Sequence, residues 1–168
     1  VHDEEPHVDA WLDQLAEELL RLDAARPEEI RECTEQEVRQ ILAECPFGSP
    51  PSAYVGFMRR FGRGAGNLFR GSDIHYPACL GLREYAEECR REEDENVPIG
   101  ERFFFGHHQG YVLYCFKPED ERVWSYTLQG DGEEVAAPGF QSFIADRLAI
   151  PERFWKRFRE RDEGNRKS

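Results

Sequence analysis

The stretch RFFFGHHQGYVLYCFKPEDERVWSYTL, residues 102–128, decides the fold class. Arg102–Phe105, Gly110–Phe116 and Arg122–Leu128 are aromatic and β-branched runs of strand length. Gly106-His107-His108-Gln109-Gly110 separates the first two and reads as a short hairpin loop with two solvated imidazoles. Lys117-Pro118-Glu119-Asp120 separates the second and third. Three consecutive strands joined by tight turns predict an antiparallel meander. Asn67–Arg70 and Asp73–Tyr76 are weaker strand candidates.

On either side the apolar period changes from two to about 3.6 residues. Trp11, Leu12, Leu15, Leu19 and Leu22 share one face of an N-terminal helix that ends before Pro27. Thr34 and Glu37 satisfy a T-x-x-E capping box, and Val38, Ile41 and Leu42 follow as a buried stripe. Pro50-Pro51 opens a third helix carrying Tyr54, Phe57, Met58 and Phe61 at i, i+3, i+4 and i+7. A fourth helix spans about Leu80 to Glu93. Phe140, Phe143, Ile144 and Leu148 mark a fifth, and a last helix after Pro151 carries Phe154, Trp155 and Phe158. Helices, then a meander, then helices predict an α+β fold, a central mostly antiparallel sheet packed by helices. Tyr54, Phe57, Phe61, Leu113, Trp124 and Phe143 are the expected core.

Charge narrows function. The 168 residues carry 22 basic and 34 acidic side chains, a net charge of −12. Residues 1–45 hold 14 acids against 4 bases, whereas residues 155–168 hold 3 acids against 6 bases. A field of this sign repels nucleic acid and anionic membranes and steers basic partners inward. No apolar run approaches the roughly 18 residues of a membrane span. Val1-His2-Asp3-Glu4-Glu5 does not read as a secretion signal, so a cytoplasmic protein is expected.

Candidate chemistry is sparse. Cys33, Cys45, Cys79, Cys89 and Cys115 form no CxxC pair and read as small buried thiols. Gly62-Arg63-Gly64-Ala65-Gly66 follows a helix and precedes a strand, the reverse of a phosphate loop, and is expected to supply left-handed cap geometry. His107 and His108 are adjacent, and neighbours on an extended chain point to opposite faces, so they make a poor metal pair. No cofactor, no metal and no catalysis are expected.

One acidic run is misplaced. Glu92-Glu93-Asp94-Glu95 ends the fourth helix, where the macrodipole disfavours negative charge by about 0.3–1 kcal/mol per exposed group. These four residues are the first candidate partner-binding patch. Asp131, Glu133 and Glu134, in the Gly-flanked segment Gly130-Asp131-Gly132-Glu133-Glu134 after the third strand, form the second.

The order of these features resembles the SUKH superfamily, a group named partly for a yeast cell-wall-synthesis regulator and made up mainly of bacterial immunity proteins. The resemblance rests on the capped helix from Thr34, the Pro51-x-x-Tyr54-x-x-Phe57-Met58 helix and its Phe61-Gly62-x-Gly64 ending. It continues through Pro98-Ile99-Gly100, the Phe-rich strand, Gly106 and Gly110, the Tyr111–Phe116 strand and the Phe140-x-x-Phe143-Ile144 helix. Ser49 stands where that group usually has leucine before the proline turn. The resemblance implies a SUKH-like domain over residues 34–148, with an N-terminal helical extension over 1–33 and a C-terminal helix and basic tail over 149–168. It also implies a non-catalytic protein that binds and neutralises a toxin, often a nuclease. A basic nuclease-type toxin domain fits the acidity independently. A monomer is favoured over a dimer, since an inhibitor needs its edges free. A regulatory scaffold of the same fold, and an enzyme working through clustered carboxylates, are the alternatives.

Overall fold

Thr34 and Glu37 close the capping box. The Glu37 amide donates to Thr34 Oγ1 at 3.2 Å, and the Thr34 amide donates to Glu37 Oε2 at 2.9 Å. This starts α2 (Glu35–Leu42), which follows α1 (Glu5–Arg21) and a 3-10 turn at Pro27–Glu29. Pro51 is the N-cap of α3 (Ser52–Phe61), whose Tyr54, Phe57, Met58 and Phe61 are all buried. The computed structural model describes residues 5–92 and 95–167.

The chain is α+β. Ile30–Arg31 (β1) pairs with Gly64–Ala65 (β2) in a two-stranded sheet. The main sheet is antiparallel, in the order Ser72–Asp73 (β3), Phe103–His108 (β4), Val112–Lys117 (β5), Asp120–Thr127 (β6) and Gly132–Ala137 (β7). Strand alternation sends side chains to two cores. Phe103, Phe105, Tyr114, Phe116 and Val123 join α1, α3 and the helices α5 (Phe140–Leu148) and α6 (Glu152–Arg166) in the larger one. Phe104, Leu113, Cys115 and Tyr126 point the other way, to Leu82, Ala86 and Cys89 of α4 (Leu82–Glu92).

Tyr54 centres the larger core. Its ring lies 5.4–5.7 Å from those of Phe103, Phe105, Phe116 and Phe140, and Phe105 stacks on Phe116 at 4.4 Å. Each such pair adds roughly 0.5–1.5 kcal/mol beyond the area it buries. Both ends of the chain contribute: Leu12, Leu15 and Leu19 of α1 and Trp155 of α6 are buried in this same cluster. Arg159 of α6, also buried, reaches Glu29 at 2.8 Å and donates to the Asp23 carbonyl at 3.1 Å. No helix among the described residues is long and apolar enough to cross a membrane.

Several local expectations need correction. The glycine run caps α3 with Gly62 in the right-handed region, and the left-handed residue is Gly66 at φ 60°. A Cβ on Gly66 would stand 2.3 Å from the Ala24 carbonyl oxygen, so the close approach of the two segments requires glycine. Asn67–Arg70 is turn, and only Ser72–Asp73 of the weaker candidates is strand. His107 and His108 lie within β4 instead of at a hairpin tip, because β3 pairs with them. Trp124 is half-buried, since α4 packs over β4 and leaves the β6–β7 side of that face more open.

Candidate protein-binding surface

Glu95, of the first acidic patch, is tied to the turn that precedes the second. α4 ends at Glu92, and the chain returns to the sheet at Glu95. There the Gln129 amide donates to Glu95 Oε1 at 2.6 Å and the Tyr126 hydroxyl donates to Oε2 at 2.9 Å. Gln129 has φ 57°, which turns the chain between β6 and β7 and leaves Asp131 exposed two residues later. Glu95 is thus a bracket holding the β6–β7 turn against the segment after α4.

The other expected residues divide. Glu92 is exposed at the end of α4, while Glu93 and Asp94 lie outside the described residues. Glu133 is half-buried and paired with Arg102 at 2.7 Å and Lys117 at 2.6 Å. Burial opposes its charge, but those two cations hold its carboxyl below the usual carboxylate range. Glu134, one residue on, faces the opposite side of β7 and is exposed. Residues 132–134 are strand and not loop: their register with Thr127, Tyr126 and Ser125 of β6 sends neighbouring carboxylates to different faces.

Two carboxylates were not anticipated. Glu84 and Glu88 precede Glu92 at helical spacing of four, and all three are exposed on the outer side of α4. Like charges at i and i+4 repel by a few tenths of a kcal/mol. That repeat was the signal that could have found them. Arg90 and Arg91 share the helix and are exposed as well.

Elsewhere several arginines are spent within the chain. Arg26 pairs with Glu163, Arg60 with Asp13 and Arg63 with Glu37, while Arg70 reaches Asp162 at 3.1 Å. Arg122 holds Asp120 at 2.9 Å, and this hydrogen-bonded pair lowers the aspartate to a pKa of about 2. Glu84, Glu88, Glu92, Asp131 and Glu134 have no such partner among the described residues. The exposed carboxylates of α4 and of the β6–β7 turn are thus left outside internal ion pairs among the described residues, as are the exposed Arg90 and Arg91 of α4.

Groups that could carry covalent chemistry are placed otherwise. Burial raises Cys33 to about 11 and Cys79 and Cys115 to about 12, so these thiols stay protonated. His107 Nδ1 accepts from the Gly110 amide at 3.0 Å, and its Nε2 lies 3.1 Å from Asp73. Ser72 Oγ lies 2.8 Å from His108 Nδ1, the nearest approach to a nucleophile–base pair. Burial first, then Arg147, pulls His108 below the usual imidazole range. Among the described residues no three His, Cys, Asp or Glu side chains gather in a metal-holding arrangement.

A groove of about 640 Å³ between α1 and α3 is lined by Val8, Leu12, Val55 and Arg59. Arg59 is bound to Glu35 at 3.0 Å across its rim. Compared with known proteins, the chain matches no family model, no curated protein and no solved structure.

Proposed function

We propose that this chain is a non-catalytic binding protein that neutralises a basic toxin domain, of the nuclease type, by direct contact in the cytoplasm. The observation that carries the reading is the corner built by Glu95. Glu95 ties the segment after α4 to the turn that bears the exposed Asp131, and Glu84, Glu88 and Glu92 lie exposed along α4. A nuclease must present cations to hold phosphate, and an acidic surface opposes that same face. The ordered motifs that resemble the SUKH group support the reading from the sequence side. Buried thiols held in the protonated form favour binding over catalysis.

The test uses the product of the reading frame adjacent to this chain's gene. It is expressed alone to measure toxicity, then with this chain to measure growth rescue. The purified pair is examined by calorimetry at low and high salt. A toxic product, rescue and a salt-sensitive complex are expected. A neighbour that is harmless and does not bind overturns the proposal.

A further inference from the structure

β7 is the last strand of the main sheet, and among the described residues β6 is its only hydrogen-bonded neighbour. Among the described residues, no backbone or side-chain group bonds to its outer edge. Such edges are ordinarily blunted by lysine, proline, a bulge or a covering element. Gly132–Ala137 contains no lysine and no proline; Val123 pairs with Ala137 and Trp124 with Val135, so Ala136 is the extra residue of a bulge and the regular edge runs over Gly132–Val135. Val135 remains 44% exposed, and Glu134 beside it is exposed too.

The two sides of this edge differ in chemistry. On the α5 side a trough of about 530 Å³ runs from the β7 edge inward over β6 and β5, lined by Tyr114, Ser125, Glu134, Phe143, Asp146 and Arg147. Glu134 and Asp146 are exposed acids without ion-pair partners among the described residues. Arg147 is laid over the Tyr114 and Phe143 rings at 5.5 and 5.3 Å. On the α4 side, Val135 stands opposite the half-buried Trp124.

We propose that β7 accepts an extended segment of a basic protein as a sixth strand, one in which basic and apolar residues alternate. Side chains of an added strand alternate between faces, and neighbouring strands lie about 4.8 Å apart. One parity would reach Glu134 and Asp146 and calls for lysine or arginine. The other would rest beside Val135 and Trp124 and calls for aliphatic or aromatic groups. Main-chain hydrogen bonds supply affinity in this mode, and the alternating positions supply selectivity.

Charge also decides against a second copy of this chain. Antiparallel self-pairing centred on β7 brings the Glu134 side chains of two copies near one another. Like charges across a strand pair are destabilising, and each copy already carries a net charge of −12. The edge begins at the turn bearing Asp131, so it is continuous with the acidic corner. The proposal rests on the basic-partner reading above and names the shape in which that partner docks.

The probe is a blocked eight-residue peptide alternating lysine and valine. A peptide of the same composition with four lysines followed by four valines is the control. Amide hydrogen exchange is followed on the full chain, and affinity is measured by fluorescence anisotropy. The alternating peptide is expected to slow exchange within Gly132–Ala136 by about tenfold or more, and the block peptide to leave it unchanged. Glu134→Lys with Asp146→Lys, both at exposed sites, is expected to remove the effect while leaving the melting temperature in place. Binding without slowed exchange in β7, equal slowing by both peptides, or no binding overturns the proposal. If the toxin binds but β7 exchange does not respond to the peptide, the docking mode fails and the functional reading stands. If β7 responds but no toxin exists, the functional reading fails and the edge site stands.

Discussion

The Tyr126 hydroxyl, near the end of β6, donates to the carboxylate of Glu95, the residue that returns the chain from α4 to the sheet. The bond joins segments 31 residues apart and fixes the acidic corner more firmly than the turn alone would. Glu95→Ala removes the acceptor for both Tyr126 and the Gln129 amide. The Tyr126 bond is part-buried and the Gln129 bond exposed, so each contributes about 0.5–1.5 kcal/mol, and urea unfolding should register a loss of about 1–2 kcal/mol. Glu92→Lys, at an exposed site, should change stability by less than about 0.5 kcal/mol.

Association kinetics should separate recognition from scaffolding. Glu92→Lys combined with Asp131→Lys should slow association with the basic partner several-fold and leave dissociation nearly unchanged. Exposed charges are screened beyond about 8 Å at physiological ionic strength, so the difference between wild type and variant should shrink in high salt. Stopped-flow measurements at two salt concentrations read both effects.

Gly66→Ala tests the crossing beneath α1. The substitution places a side chain in the left-handed region and drives its Cβ into the Ala24 carbonyl. A cost of about 1–3 kcal/mol is expected by denaturant unfolding. Gly48→Ala, with nothing within 4 Å of its Cβ position, should be close to neutral.

Stability should fall with acid in the window of the histidines. Burial pulls His75 below its ordinary value of 6.5, and its Nδ1 is buried without a hydrogen-bond partner among the described residues. The unfolded chain therefore binds a proton more readily than the folded one just below pH ~6.5. This contribution is complete above the unfolded value and is lost as the pH falls toward the folded one. Melting temperature should drop between about pH 7 and pH 5, and His75→Gln should flatten that slope. At lower pH the Asp120 contribution disappears in turn, between its ordinary 3.8 and about 2.

Much of the architecture was legible because periodicity and packing agreed. The Tyr54–Phe61 stripe is buried, the Thr34–Glu37 box is closed, and the three runs within 102–128 form adjacent strands. β7 was not legible. Gly132-Glu133-Glu134-Val135-Ala136-Ala137 lacks the β-branched alternation of a strand, and its conformation follows from pairing with β6. The same cause split the second acidic patch, because a loop gives no parity and a strand assigns Glu133 and Glu134 to opposite faces. Glu95 could be read as acidic from the sequence, but its partners lie 31 and 34 residues away and no local pattern announces them.

The placement of the cysteines on both sides of the sheet makes the molecule its own unfolding clock. Cys33 and Cys79 lie in the aromatic core around Tyr54, whereas Cys89 and Cys115 lie in the smaller core under α4. All four are buried thiols outside any disulfide, shielded from an alkylating reagent until their own side opens. Pulse alkylation followed by peptide mass mapping therefore times the two openings separately within one sample. Equal rates at all four sites would mean that the sheet transmits cooperativity between its faces; faster labelling of Cys89 and Cys115 would define the α4 side as a separate foldon.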